Sequence, residues 1–205
     1  MKLYGIALLP EKKIINELVV WREKLNEYIN PPLLGIDENL PHSSILQCPF
    51  KVDELTFEKL LEINHEIKSI NIPEMSISSV YLKPNNWIFL DYTSKESLFQ
   101  IQEVAFKHLK NIIDYSSILK KSSYKGYTKL EKDNFEKWGY RYIGKAFIPH
   151  FTLGTSKKEN QKIPQELVIS FNESINGVKF KFTDIVFYEA GYRGALKKVI
   201  SQVSL

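Results

Sequence analysis

Two short segments of this 205-residue chain could do chemistry together. Residues 41–50 read PHSSILQCPF and residues 149–158 read PHFTLGTSKK, so each sets a histidine after a proline and a hydroxyl two positions later: His42 with Ser44, His150 with Thr152. In a strand, alternate side chains share a face. Each segment therefore offers one imidazole and one hydroxyl on one surface, while Ser43 and Phe151 point the other way. Imidazole is the side chain suited to both take and give a proton near neutral pH, and hydroxyls can hold the oxygens of an anion. Two such pairs on facing strands would supply a base, an acid and two oxygen ligands without a metal. The other two histidines, His65 and His108, lack the following hydroxyl. His108 falls on the apolar face of its helix and His65 off it, and both read as structural.

The elements that must position these groups follow from periodicity. Residues 2–9 (KLYGIALL) read as a buried strand ended by Pro10. Residues 11–29 read as a helix with Ile14, Leu18, Trp21, Leu25 and Tyr28 on one face, stopped at Asn30-Pro31-Pro32. A turn-rich stretch from Gly35 to Leu40 leads into the first histidine segment. A second helix is expected over 53–69. Strands are expected over 75–82 and 87–93, with a turn at Pro84-Asn85-Asn86. Thr93 to Glu96 has the form of a capping box opening a third helix over about 94–113. Residues 114–127 are polar, serine-rich and basic, an exposed loop, and a helix over about 128–139 follows. Residues 145–154 carry the second motif as a strand, and KKENQKIPQE reads as a loop. The stretches LVISFN, GVKFKFTDIVFYEA and ALKKVISQVSL close the chain as β-rich segments. Such an order is α/β or α+β.

Composition narrows the class. The chain is 43% apolar and 25% charged with a net charge of +4, an ordinary soluble composition. The slight basic excess permits a phosphate-bearing ligand without requiring one. A lone cysteine, Cys48, forms no internal disulfide and fits a reducing compartment. The N-terminus lacks the pattern of a signal peptide, and no window reaches the roughly 18 apolar residues of a membrane helix, so a cytoplasmic location without membrane contact is expected. No glycine-rich phosphate loop, Cys-x-x-Cys pair or His-Glu-x-x-His helix is present, and Asp184 and Glu189 are spaced too loosely for a metal site.

PHSSIL and PHFTLG resemble the paired His-x-(Ser/Thr)-hydrophobic signatures of the 2H phosphoesterase superfamily, which includes bacterial 2′–5′ RNA ligase-like proteins and cyclic nucleotide phosphodiesterases. LYGIALLP is similar to the opening strand of that family, ISSVYLKPNNWIFLDYT to its paired strands after the first motif, and FTDIVFYEAGYRGALKKV to its closing strands. The resemblance implies an α+β, bilobal fold: two pseudo-symmetric lobes with antiparallel-rich sheets flanking a central cleft and helices outside. Residues 1–205 would form one bilobal domain, each lobe carrying one motif. It also implies a phosphodiesterase without cofactor or metal, acting on a 2′,3′-cyclic phosphate or a 2′–5′-linked or cyclic oligonucleotide. His42 and His150 would be general base and acid, Ser44 and Thr152 would bind the phosphate, and the roles would swap in a ligase-like reverse reaction. A nucleotide or oligonucleotide would then be the partner of a monomeric protein. Tyr192 and Arg193, after a strand that could line the cleft, are candidates to contact the substrate. So are Tyr124, Lys125 and Tyr127, where aromatic and basic residues interleave. Trp87 and Tyr92 read as packing residues. The competing readings are a non-catalytic nucleotide- or RNA-binding module of the same fold and a packing coincidence in an α+β protein of other function.

Overall fold

A computed structural model describes residues 2–30, 39–83, 86–119, 121–157 and 164–205. Two antiparallel sheets form the frame. The first has the order β3-β1-β8-β9, built from β1 (Leu3–Pro10), β3 (Ser43–Cys48), β8 (Phe182–Ala190) and β9 (Leu196–Ser204). The second has the order β2-β6-β5-β4-β7, built from β2 (Ile29–Asn30), β4 (Met75–Leu82), β5 (Trp87–Tyr92), β6 (Phe151–Ser156) and β7 (Lys179–Phe180). The helices are α1 (Lys12–Glu23), α2 (Phe57–Ile67), α3 (Glu96–Leu109), α4 (Lys129–Trp138) and α5 (Gln165–Ile175). The fold is thus α+β and bilobal, with His42 just before β3 of one sheet and His150 just before β6 of the other. Among the described residues, no helix is long and apolar enough to cross a membrane.

Strand β1 reads as a continuous apolar run because both its faces are covered. Ile6 and Leu8 enter the large core shared with Ile77, Leu90, Ile101 and Phe151. Ala7 and Leu9 enter a small second core with Val186, Tyr188 and Leu196. Cys48 lies fully buried, and burial pushes its thiol pKa well up, so it behaves as a packed hydrophobe.

Several elements differ from expectation. Residues 11–29 do not form one helix: α1 ends at Glu23, and Ile29–Asn30 pairs with β6 as a short strand. The stop at Pro31-Pro32 lies outside the described residues, as do Gly35, Pro84 and Asn85. The capping box at Thr93 does not form. Thr93 Oγ1 accepts from the Ser76 amide at 3.2 Å and its own amide donates to Ser76 at 2.8 Å, so strand β4 takes the cap and α3 begins at Glu96. LVISFN is helical, within α5. Leu167, Val168, Phe171 and Ile175 recur at helical spacing and pack inward, and that tertiary face overrides the β-branched composition. The loop expected over 157–166 has its residues 158–163 outside the described set. Strand β6 starts at Phe151, not 145, with a 3₁₀ turn at Gly144–Ala146 before it. The helix near 128–139 is α4, opened by a true Thr128–Glu131 capping box and closed by Gly139 at φ 75°.

Candidate active site

Each histidine is held the same way. His42 Nδ1 lies 2.7 Å from the carbonyl of Leu40, and His150 Nδ1 lies 2.5 Å from the carbonyl of Ile148. A carbonyl only accepts, so both Nδ1 atoms carry the proton and each Nε2 keeps a lone pair. The His42 ring packs 5.3 Å from that of Tyr188. The His150 ring stacks on Phe89 at 3.5 Å between centroids and meets Tyr142 edge-on at 5.9 Å. Both rings border one cavity of about 840 Å³, which Ser44, Thr152, Lys125, Tyr127 and Arg193 also line. Ser43 turns away, its hydroxyl 2.6 Å from that of Tyr92 inside the core, and Phe151 is fully buried.

The backbone adds a feature that strict alternation misses. β1 pairs Ile6 with Leu46 but Ala7 with Ser44, leaving Ile45 bulged. β5 pairs Ile88 with Gly154 but Phe89 with Thr152, leaving Leu153 bulged. A bulge puts one extra residue in a strand and resets which side chains share a face. Gln47 thereby joins Ser44 at the cavity, and Thr155 joins Thr152. Each lobe thus presents three groups at matching offsets: His42, Ser44, Gln47 and His150, Thr152, Thr155. The turn Tyr192–Gly194 reaches both sets. The Gly194 carbonyl accepts from Gln47 Nε2 at 3.2 Å, and the Arg193 guanidinium donates to Thr155 Oγ1. Arg193 holds a left-handed φ of 57° to do so, a conformation that costs a non-glycine residue energy.

The electrostatics of the free protein favour neutral imidazoles. Burial lowers the pKa of His42. It pushes His150 down to about 3, with the charges of Lys83, Arg141 and His42 acting in the same sense. The same positive surroundings suit an anion. The Arg141 guanidinium lies over Tyr127 at 4.7 Å and over Tyr142 at 4.3 Å, and Lys83 Nζ lies 5.0 Å from the Tyr142 ring.

Of the candidate substrate contacts, Lys125, Tyr127 and Arg193 line the cavity, whereas Tyr124 and Tyr192 are not among its lining residues. Tyr124 packs against Tyr127 and Phe135, and Tyr192 is 68% exposed. Trp87, expected to be a packing residue, borders the cavity; Tyr92 is core. His108 bonds Glu66 at 2.9 Å and His65 is exposed, both away from the cavity. Sequence reading missed Gln47, Arg141, Tyr142 and Tyr188. For Arg141 and Tyr142 the signal was an aromatic-basic cluster, RYIGK, just upstream of the second motif. Among the described residues no group of three or more His, Cys, Asp or Glu side chains could hold a metal ion.

No protein-family model and no curated protein matches the chain. Solved structures do. E. coli LigT complexed with 3′-AMP matches with a TM-score of 0.55 at 14% identity, over 100% of this chain and 97% of that one. A protein of Thermus thermophilus matches with a TM-score of 0.60 at 15% identity, over 100% and 98%. A structure described as a phosphoesterase matches with a TM-score of 0.54 at 14% identity, over 100% and 98%. At these identities the likeness is one of fold, and it runs the whole length of the chain.

Proposed function

We propose that the chain is a 2H-type phosphoesterase: a phosphodiesterase that hydrolyses a 2′,3′-cyclic phosphate or a 2′–5′-linked or cyclic oligonucleotide without a metal, residues 1–205 acting as one bilobal unit. The observation that carries this reading is the pair of imidazoles bordering one cavity, each with Nδ1 tied to the carbonyl two residues earlier and Nε2 left for proton transfer. LigT structures hold 3′-AMP and phosphate, ligands of the chemistry this cavity would take.

In the proposed reaction one neutral Nε2 removes a proton from water as its oxygen attacks phosphorus. The other Nε2, protonated, gives its proton to the departing ribose oxygen. The pair needs one proton between them. Burial and mutual repulsion keep the free protein short of that proton, and the phosphate anion restores it by its own charge. Ser44 and Thr152 hydroxyls hold the non-bridging oxygens. Arg193, Lys125 and Tyr127 contact the rest of the nucleotide. Which histidine is the base depends on which bond is cleaved, and the assignment reverses for ligation.

The test is turnover of 2′,3′-cyclic nucleotides and 2′–5′ oligomers by wild type, His42→Ala and His150→Ala. Each substitution should lower kcat on the order of 100- to 10,000-fold in a protein that stays folded and still binds inorganic phosphate measurably. A wild type that binds oligonucleotide and never turns it over would identify a binding module instead.

A further inference from the structure

Ser44 lies 3.2 Å from the hydroxyl of Tyr188, which is also 2.9 Å from Gln47 Nε2. The directions of these bonds can be assigned. Gln47 Nε2 also faces the carbonyl of Gly194 at 3.2 Å. A carbonyl only accepts, so the amide nitrogen and not the oxygen must face it, and Gln47 therefore donates to Tyr188 as well. Tyr188 is 0% exposed. Its own proton needs a protein acceptor, and among the described residues the remaining hydrogen-bond neighbour is Ser44 Oγ. The Ser44 oxygen is thus occupied on that side by an incoming proton, and its own hydrogen must leave toward the cavity.

We infer that Gln47 and Tyr188 are positioning residues that fix the polarity of the Ser44 hydroxyl, presetting it as a hydrogen-bond donor to a phosphate oxygen. The inference rests on the phosphoesterase reading for the identity of the anion. Its structural support does not. Gly5 sits opposite Tyr188 in the β1–β8 ladder, and a Cβ there would lie 2.5 Å from the Tyr188 ring, so the missing side chain is what seats the phenol. A Cβ on Gly194 would come within 3.0 Å of the Gln47 amide, so the turn is shaped around that amide too. Thr152 has no comparable device: among the described residues its hydroxyl has no hydrogen-bond partner. One oxygen ligand of the site is preset, and the other turns to suit the substrate.

A double-mutant cycle on kcat/KM for a 2′,3′-cyclic nucleotide tests this. Ser44→Ala should cost roughly 10- to 100-fold, the worth of a hydrogen bond to a charged group. Tyr188→Phe keeps the ring and should cost about 5- to 10-fold. In the Ser44→Ala background, Tyr188→Phe should cost less than about twofold, because the phenol then has no hydroxyl to direct. Gln47→Met should reproduce the Tyr188→Phe loss and the same non-additivity, which keeps the test usable if Tyr188→Phe folds poorly. Losses that multiply in the double variants, or single variants with wild-type rates, overturn the inference while leaving the phosphoesterase intact. If wild type turns over no phosphodiester, the phosphoesterase reading fails, and the same cycle is read in inorganic phosphate affinity. Non-additivity there supports the relay and additivity overturns it.

Discussion

Burial of a neutral His150 ties the stability of the fold to pH. His150 is 8% exposed and its pKa is pushed down to about 3, first by burial. In the unfolded chain a histidine titrates near 6.5. Because the folded value is the lower one, the unfolded chain takes the proton first as pH falls. The stability that depends on a neutral His150 is therefore complete above about pH 6.5 and is lost as pH falls toward about 3. One proton changes the unfolding free energy by about 1.4 kcal/mol per pH unit. Between pH 7.5 and pH 4.5 only the part below 6.5 counts, about two units, so the loss is about 3 kcal/mol. That is a large share of the roughly 5–15 kcal/mol that holds a domain folded. Carboxylates titrate over the same interval, so the comparison must cancel them: wild type against His150→Asn, a neutral side chain of related shape. Urea unfolding at the two pH values should show wild type losing about 3 kcal/mol more than the variant. Inorganic phosphate near saturation should shrink that gap, since an anion between the rings stabilises the protonated form. A difference between the two proteins that is the same at both pH values would refute the reasoning, because it would mean that His150 takes its proton as readily folded as unfolded.

The remaining predictions test other parts of the same site. Both histidines are shifted down in the free protein, so kcat/KM for a cyclic nucleotide should be bell-shaped in pH with its maximum below about 6.5, and kcat should peak at higher pH once the bound anion raises the pair; stopped-time assays across pH 4 to 9 should show the alkaline limb of kcat/KM and the upward displacement of kcat. Turnover should survive EDTA at millimolar concentration, and its loss would sink the metal-free mechanism. Gln102 on α3 donates to the carbonyls of Ile45 and Tyr142 at 2.7 and 2.8 Å and accepts from the Gly144 amide at 2.8 Å. Gln102→Leu leaves three backbone groups unpaired and should destabilise by at least about 2 kcal/mol in urea unfolding. Gly5→Ala forces Tyr188 out of its seat and should cost about 1–3 kcal/mol together with activity.

The paired histidine segments were easier to read in the sequence than the geometry around them. The four residues His42, Ser44, His150 and Thr152 announce themselves because their types repeat at one spacing, and alternation on an extended chain suffices to put each pair on one surface. The strands around them were legible from short apolar, β-prone runs: MSISSVYL buries mostly alternate residues, and WIFLDYT holds a continuous buried run. LVISFN misled because its β-branched residues carry a local preference, while its fate is set by Leu167, Val168 and Phe171 packing on β4, which only the tertiary fold supplies. Thr93 misled in the opposite way. Its pattern is a cap, and a neighbouring strand claimed it first.

The bulges at Ile45 and Leu153 explain why the rest of the site was hidden. Period-two reading assigns Gln47 and Thr155 to the face opposite Ser44 and Thr152. One inserted residue in each ladder reverses that assignment. No residue type marks the insertion: Ile45 and Leu153 are ordinary buried aliphatics. What holds the first bulge is remote, the Gln102 amide on the carbonyl of Ile45, 57 positions away. The groups that bulging brings to the cavity are the ones that the Tyr192–Gly194 turn grips, Gln47 through a carbonyl and Thr155 through Arg193. The repeat in this chain is therefore longer than His-x-(Ser/Thr). It is a histidine, a hydroxyl two residues on, a bulge, and a polar residue five on from the histidine. The polar fifth position ties each lobe to the Tyr192–Gly194 turn, so a single turn is bonded to both halves of the cavity wall.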